Sequence, residues 1–217
     1  MEHDVFPIGR RTLMGLATAG FVIKSPYHLA RAETTNDVGP AAPVQRLNVA
    51  LIGAMKAGRA TPFAQRFASL APVVENTFDL DAVLAASIGL SWPSLPNEQK
   101  TQLRAAFSRY TVSSYAASFD NFTGQTFQIS PSVRAVGNGD VVVQSKIIAT
   151  DGSATPLDYV MRDGQSGWKA VDVLAGGSIS RVAVQRSDFR GLLSSGGTPA
   201  LVAGLEHKVA NLSGTTG

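Results

Sequence analysis

Side chains that could do chemistry are few in this chain. Its 217 residues include three His and no Cys, which excludes disulfide scaffolds, thiol nucleophiles, iron–sulfur clusters and cysteine-ligated zinc. A Ser-His-Asp arrangement needs a histidine, and only His207 lies beyond the N-terminal segment that we expect to be removed. His207 stands between Glu206 and Lys208 in a late predicted helix, and no G-x-S-x-G pattern accompanies it. We therefore expect a surface histidine rather than a catalytic one.

Carboxylates are the other candidates for catalysis or metal binding. Asp79 and Asp81 come at a predicted helix start, where they complement the helix dipole. Carboxylate pairs for glycoside hydrolysis stay open, because such pairs form in space and not in sequence. Other aspartates fall at element ends and turns, where Asp serves the local backbone: Asp120, Asp140, Asp151 and Asp163. We predict no catalytic residue, no metal site and no cofactor.

Phosphate-binding glycine patterns are also missing. No P-loop or dinucleotide-binding pattern follows a predicted strand. Gly176 and Gly177 come between a strand and a helix, so that an anion could bind there, although a plain connection accounts for them as well. The net charge of +3 is small, and no dense basic stripe is present. A nucleic acid is therefore not an expected partner.

The N-terminus has the features of an export signal. Arg10 and Arg11 precede a weakly apolar run over residues 13–23, Lys24 follows, and Ala30-Arg31-Ala32 resembles a cleavage site. The apolar run is too short to span a bilayer, and the arginine pair is typical of a twin-arginine signal. The alternative is a poorly ordered cytoplasmic tail. We expect cleavage after Ala32 and a periplasmic, soluble product.

The pattern beyond the signal predicts one α+β domain. We expect a disordered lead-in over 33–43, the domain over 44–211 and a flexible tail over 212–217. Apolar spacings of three and four predict about six helices, with a break or kink near Ala71, before Pro72, in the second. Alternation joined by short turns predicts a four-stranded twisted antiparallel sheet. The predicted strands are 125–133, 140–150, 155–162 and 167–174, and the last four helices are 79–88, 97–119, 178–193 and 198–210.

One face of the predicted sheet is apolar, and helices should cover it. Leu157, Tyr159 and Met161 alternate along one strand, and Val143 and Ile147 along its neighbour. Several further large apolar side chains belong to the helices. Composition alone does not distinguish a filled core from a core that lines an apolar cavity between sheet and helices, so both interpretations stay open.

A series of short anchors follows one another in a characteristic order and spacing over residues 67–193: Phe78-Asp79, Leu84, Gly89, Trp92, Phe107, Ser114-Tyr115-Ala116, Phe119, Gly124, Asp158-Tyr159, Gly167-Trp168-Lys169, Asp172-Val173, Gly177-Ser178-Ile179 and Gln185-Arg186-Ser187-Asp188-Phe189. In these anchors the chain resembles the toluene-tolerance family of periplasmic lipid-binding proteins, the soluble shuttles of Mla-type phospholipid transport. Two segments, Trp92-Pro93-Ser94-Leu95 and residues 120–124, resemble the hopanoid-associated branch of that family.

The resemblance implies a lipid carrier. It implies a phospholipid or hopanoid ligand in a cavity between sheet and helices, and partners in inner-membrane transporter and outer-membrane lipoprotein complexes. A lipid needs a carrier to cross the aqueous periplasm, because each CH₂ group exposed to water costs about 0.8 kcal/mol. The residues that we expect to contact the lipid are Val74, Leu84, Ile88, Trp92, Phe107, Tyr110, Val143, Ile147, Leu157, Tyr159, Met161, Val171 and Val173.

Two other functions remain possible from the residues. One is an enzyme that uses a polar group in the cavity, for which Asp158 and Asp172 are the candidates, although both fall on the mixed face of the predicted sheet. The other is a non-catalytic module that presents its surface to a partner in the cell envelope. Bound lipid would favour the carrier over both.

Overall fold

The computed structural model describes residues 39–214, so the predicted signal segment lies outside the described residues. Helices, then strands, then a final helix follow one another, which confirms the α+β class. The helices are α1 (Ala41–Ala57), α2 (Phe63–Thr77), α3 (Leu80–Ile88), α4 (Asn97–Ser118) and α5 (Arg181–Ser213). The strands are β1 (Thr126–Ala135), β2 (Val141–Ile148), β3 (Ala154–Gly164), β4 (Gly167–Ala175) and β5 (Ile179–Ser180).

The sheet is an antiparallel meander in the order β1-β2-β3-β4-β5. The prediction of four strands is wrong by one, because the chain turns back after β4 and adds the two residues of β5. Gly176 and Gly177 make that turn with φ of 61° and 78°, a conformation that only glycine adopts freely. They therefore connect strand to strand and do not open a helix.

The described residues contain five α-helices, where the sequence predicts about six. The last two predicted helices form the single element α5, but its backbone leaves helical geometry at Gly196 and Gly197, where φ is −159° and 65°. The predicted interruption is therefore real, and α5 has an N-terminal and a C-terminal segment. Asp79 caps α3 by accepting a hydrogen bond from the Ala82 amide at 2.9 Å, as its position predicts.

Other helix boundaries differ from the prediction at prolines. α1 begins at Ala41, three residues before the predicted domain start. α2 continues through Pro72 without a break, because Pro72 and Ala68 lie on its exposed side. Water can there replace the helical hydrogen bond that the proline cannot donate to the Ala68 carbonyl. The predicted break is therefore wrong.

Two clusters of buried apolar side chains make the core. The sheet cluster joins α1, α2 and the second half of α4 to the covered face of the sheet: Val44, Leu47, Leu51, Ala54, Met55, Leu70, Val74, Phe78, Val112, Tyr115, Ala116, Phe119, Val143, Ile147, Leu157, Tyr159, Met161, Ala170 and Val173. The helix cluster joins α3, the first half of α4 and α5: Val83, Leu84, Ile88, Leu103, Ala106, Phe107, Tyr110, Val182, Phe189, Leu201 and Leu205. Among the described helices, α4 supplies buried side chains to both clusters, and Leu80 of α3 packs against both.

The alternation predicted for β2 and β3 is confirmed, since their apolar residues face the helices in the sheet cluster. In β4 it fails. Met161 pairs with Ala170 and Val160 pairs with Asp172, so Val171 has no partner on β3. This extra residue resets the two-residue period. Ala170 and Val173 consequently share the covered face, while Val171 is buried outside both clusters.

Candidate functional site

A cavity lies where the sheet cluster meets the helix cluster. Its volume is about 50 Å³, and its walls come from α3, α4, β4 and the start of α5. Aromatic and aliphatic side chains predominate, with a few polar groups on the side of α5. The lining residues are Phe78, Leu80, Val83, Phe107, Tyr110, Thr111, Ser114, Tyr115, Asp172, Val173, Arg181, Val182 and Gln185.

The α4 wall is less polar than its residue types suggest. Thr111 donates its hydroxyl hydrogen bond to the Phe107 carbonyl at 2.9 Å, and Ser114 donates to the Tyr110 carbonyl at 2.8 Å. Both hydroxyls are thus satisfied within the helix. At these two positions the cavity therefore meets hydroxyl groups that already have partners, which suits hydrocarbon.

Phe78 holds the cavity against the sheet. It follows α2, and the next amide, that of Asp79, donates to the Ala170 carbonyl at 3.0 Å. This bond fixes the chain beside β4 before α3 begins. The Phe78 ring then lies 5.7 Å from the Tyr115 ring and 6.3 Å from the Tyr159 ring, measured between centroids. These separations are typical of packed aromatic pairs.

The polar side of the cavity is built around Asp172. Its carboxylate accepts hydrogen bonds from the Val173 amide at 2.7 Å, the Ser180 hydroxyl at 2.5 Å and the Val182 amide at 3.1 Å. The carboxylate thus ties β4 to the first turn of α5, where a negative charge complements the helix dipole. Arg181, the first residue of α5, is half-buried in the cavity lining. It forms no ion pair with a carboxylate of residues 39–214.

Two buried phenols lie below this polar side. Burial raises the pKa of Tyr115 well above its ordinary value, and burial likewise raises the pKa of Tyr159. The two hydroxyls are close enough to influence each other's pKa, although the Tyr159 hydroxyl makes no hydrogen bond of ordinary geometry within the described part of the chain. Both phenols are therefore neutral at physiological pH.

The structure disperses the thirteen residues predicted to contact a lipid. Phe107, Tyr110 and Val173 line the cavity. The others are packed in or against the core. Those in the sheet cluster are Val74, Val143, Ile147, Leu157, Tyr159 and Met161. Leu84 and Ile88 belong to the helix cluster, Trp92 packs against it, and Val171 belongs to neither.

Sequence reasoning missed most of the cavity wall. The sequence singles out Tyr115 only as an apolar helix residue and as part of the anchor Ser114-Tyr115-Ala116, and it places Val83 and Val182 only within predicted helices. The missing information is tertiary, since the cavity brings together residues about a hundred positions apart on α3 and α5. One signal of the cavity in the sequence is the pair Asp172-Val173. A carboxylate beside a buried valine on the last long strand indicates a strand end that meets a helix start.

The carboxylates proposed for an enzyme have structural partners. Asp158 accepts the Ser145 amide at 3.0 Å, and Asp172 holds the start of α5 as described. Of the turn aspartates, Asp140 forms a two-point ion pair with Arg162 at 2.9 and 2.7 Å rather than serving only the local backbone.

His207 is exposed, as expected. Among residues 39–214 no cluster of three metal-ligating side chains occurs, and no helix is long and apolar enough to cross a membrane.

Comparison with known proteins finds a solved structure of similar fold and a matching family model. The fold is similar to that of a phospholipid-binding protein from Ralstonia solanacearum, solved in complex with a phospholipid. The TM-score is 0.69 at 24% sequence identity, and the match covers 81% of this chain and 99% of that one. The family model described as MlaC protein matches residues 45–207, more than half of the chain. The chain therefore belongs to the MlaC family.

Proposed function

We propose that this protein is a lipid carrier that holds acyl chains in the cavity between its two clusters. The apolar cavity carries the proposal, because the Thr111 and Ser114 hydroxyls of its α4 wall are satisfied within the helix and its charged groups gather on one side. Such a site suits a ligand with a long apolar part and one polar end. Membership of the MlaC family and the phospholipid in the Ralstonia relative support the same ligand class.

The polar end of the lipid would lie beside Arg181. This side chain is half-buried at the cavity and has no carboxylate partner within residues 39–214. A guanidinium group binds phosphate oxygens through two parallel hydrogen bonds. A phosphate-bearing headgroup is consequently favoured over the neutral polar end of a hopanoid, which remains the alternative ligand.

A cavity of about 50 Å³ has to widen before it holds a diacyl lipid. The boundary between the two clusters is where widening costs least, since within residues 39–214 α4 is the one helix that supplies buried side chains to both. The helix best suited to move is α3, which has nine residues. It is the shortest of the α-helices within residues 39–214.

The carrier would act in the periplasm, between the two membranes. The N-terminal signal predicted from the sequence supports this location and lies outside the described residues. N-terminal sequencing of the exported protein should read Glu-Thr-Thr, starting at Glu33; a product that keeps Met1 would contradict export by cleavage. Transporter and lipoprotein complexes of the two membranes would be the donor and acceptor of the lipid.

Extraction of the purified protein with organic solvent, followed by mass spectrometry, tests the ligand. We expect a glycerophospholipid in near-stoichiometric amount. A triterpenoid would replace the phospholipid with the hopanoid alternative. A protein that yields no lipid from cells and takes up none from vesicles would contradict the carrier function.

A matched pair of variants tests the site. Thr111 and Thr101 lie on the same helix, and each donates its hydroxyl to the carbonyl four residues earlier, but only Thr111 lines the cavity. Thr111→Gln places an amide against hydrocarbon at a cost of about 1–3 kcal/mol, so bound lipid should fall about tenfold or more. Thr101→Gln should leave bound lipid unchanged. Equal lipid in the two variants, with equal melting temperatures, would place the lipid elsewhere.

A further inference from the structure

The turn after α3 exposes an apolar tip. Leu90 has a relative exposure of 101%, the highest of the large apolar side chains that the structure exposes within residues 39–214. Pro93 is exposed beside it, and Trp92 is half-buried. Such a tip is unfavourable in water unless something covers it.

Cations surround this tip. The Lys100 ammonium lies 5.7 Å from the centroid of the Trp92 ring, and the Arg104 guanidinium lies 5.5 Å from it. Arg104 also pairs with Asp81 at 2.8 Å. Glu98 is the other carboxylate on the neighbouring turn of α4. The side of the tip toward α4 therefore carries both signs of charge.

The side toward α5 is purely basic. An open groove of about 690 Å³ runs between the end of α3 and α5, and its lining includes Leu90, Arg186 and Arg190 but no carboxylate. Arg186 donates two hydrogen bonds to the Ala86 carbonyl, at 3.0 and 2.6 Å. Arg190 forms no ion pair with any carboxylate of the described residues. The groove thus offers unneutralised positive charge directly beside an apolar side chain.

The opposite end of α4 provides a contrast. Phe122 is exposed there by 37% and lies under the Lys56 ammonium at 5.3 Å. The nearby Arg59 is neutralised by Asp120, with contacts of 2.7 and 3.3 Å. Full apolar exposure and uncompensated cations therefore coincide at the Leu90 end and not at this one.

We propose that the Leu90 tip and the Arg186–Arg190 groove dock this protein on an anionic bilayer surface. Leu90 would enter the interface between headgroups and acyl chains, and the arginines would bind lipid phosphates. Apolar insertion and electrostatic attraction act together in such binding. The same two helices, α3 and α5, form the groove on one side and the cavity wall on the other, so docking brings the bilayer next to the helices that enclose the cavity.

Co-flotation with vesicles tests the proposal and reads out the protein, whereas extraction reads out the lipid it carries. Vesicles of phosphatidylcholine alone are compared with vesicles that also contain phosphatidylglycerol, at low and high salt. We expect flotation with the anionic vesicles and its weakening by salt, because exposed charges are screened. Leu90→Ser should lower the partition coefficient about tenfold. Arg190→Gln should lower it about fivefold, as expected for one basic residue at a membrane surface.

Two variants elsewhere serve as controls. Val49→Ser removes another exposed apolar side chain, on α1, and Arg134→Gln removes an exposed arginine on β1. Both should float as the parent does, and thermal melting should show all four variants folded. Absence of flotation with anionic vesicles would overturn the proposal and leave a protein partner as the occupant of this surface. Flotation that Leu90→Ser and Arg190→Gln do not weaken, or that the controls weaken equally, would also overturn it.

Discussion

Single buried polar atoms set the chemical character of the core near the cavity. Tyr115 and Tyr159 keep their hydroxyls away from water, and the Tyr159 hydroxyl lacks a well-formed hydrogen bond in the described residues. A buried hydroxyl of this kind costs stability. It also makes the fold sensitive to ionisation, because a phenolate could not remain in that environment.

The raised pKa values of Tyr115 and Tyr159 predict alkaline destabilisation. Between pH 10 and the raised values, the unfolded chain releases two phenolic protons that the folded protein keeps, so the free energy of unfolding falls as pH rises. Below pH 10 this contribution is fully present. Urea titrations at increasing pH measure the effect. The Tyr115→Phe/Tyr159→Phe double variant should show a flatter pH dependence. A parent protein in which both phenols ionise near pH 10 while still folded would contradict the prediction.

At the scale of the elements, sequence patterns predicted most of what local geometry controls. Alternation predicts the apolar faces of β2 and β3 correctly, and the gap between the predicted helices 178–193 and 198–210 matches the interruption at Gly196 and Gly197. The failures share one cause, which is that the tertiary surroundings of a residue overrode a rule based on its local sequence. An unpaired Val171 reset the period of β4, and an exposed side let α2 tolerate Pro72.

The candidate site was harder to predict than the fold for the same reason. Val143 and Tyr159 are predicted to contact the lipid because they lie on the apolar face of the sheet, toward the helices. The structure confirms that they face the helices. However, the helices above that face fill the space over most of it. The cavity described above lies where α3 and α5 meet β4, and that meeting depends on helix packing between distant parts of the chain.

The interruption of α5 can be tested with two glycines of the same element. Gly197 has a φ of 65°, so Gly197→Ala should destabilise the protein by about 1 kcal/mol or more. Gly191 lies in regular helix with open space around its Cα. Gly191→Ala should therefore stabilise by about 0.5–1 kcal/mol. Chemical denaturation measures both, and an equal effect of the two substitutions would show that the interruption is not required.

For the whole molecule, the small cavity implies that lipid uptake needs relative movement of α3 and α4. The chain has no cysteine, so introduced thiols can be joined selectively by a short bifunctional reagent. Cysteines at Asp81 and Arg104, whose ion pair of 2.8 Å bridges the two helices, should block uptake once they are joined. Without the reagent the same variant should take up lipid.

A second joined pair is the control for that experiment. Arg59 and Asp120 form an ion pair of 2.7 Å at the far end of α4. Joining cysteines at those positions should leave uptake unchanged. Normal uptake by the protein joined at 81 and 104 would mean that the cavity widens by another movement.

The continuity of α4 through both clusters has a consequence for unfolding. A protein with two separate apolar cores would ordinarily melt in two steps. Here Phe107 belongs to one core and Tyr115 to the other, two turns along the same helix. Neither core can lose its packing while that helix stays intact for the other. The domain should therefore absorb heat in a single calorimetric transition, and damage to either core should lower the same melting temperature.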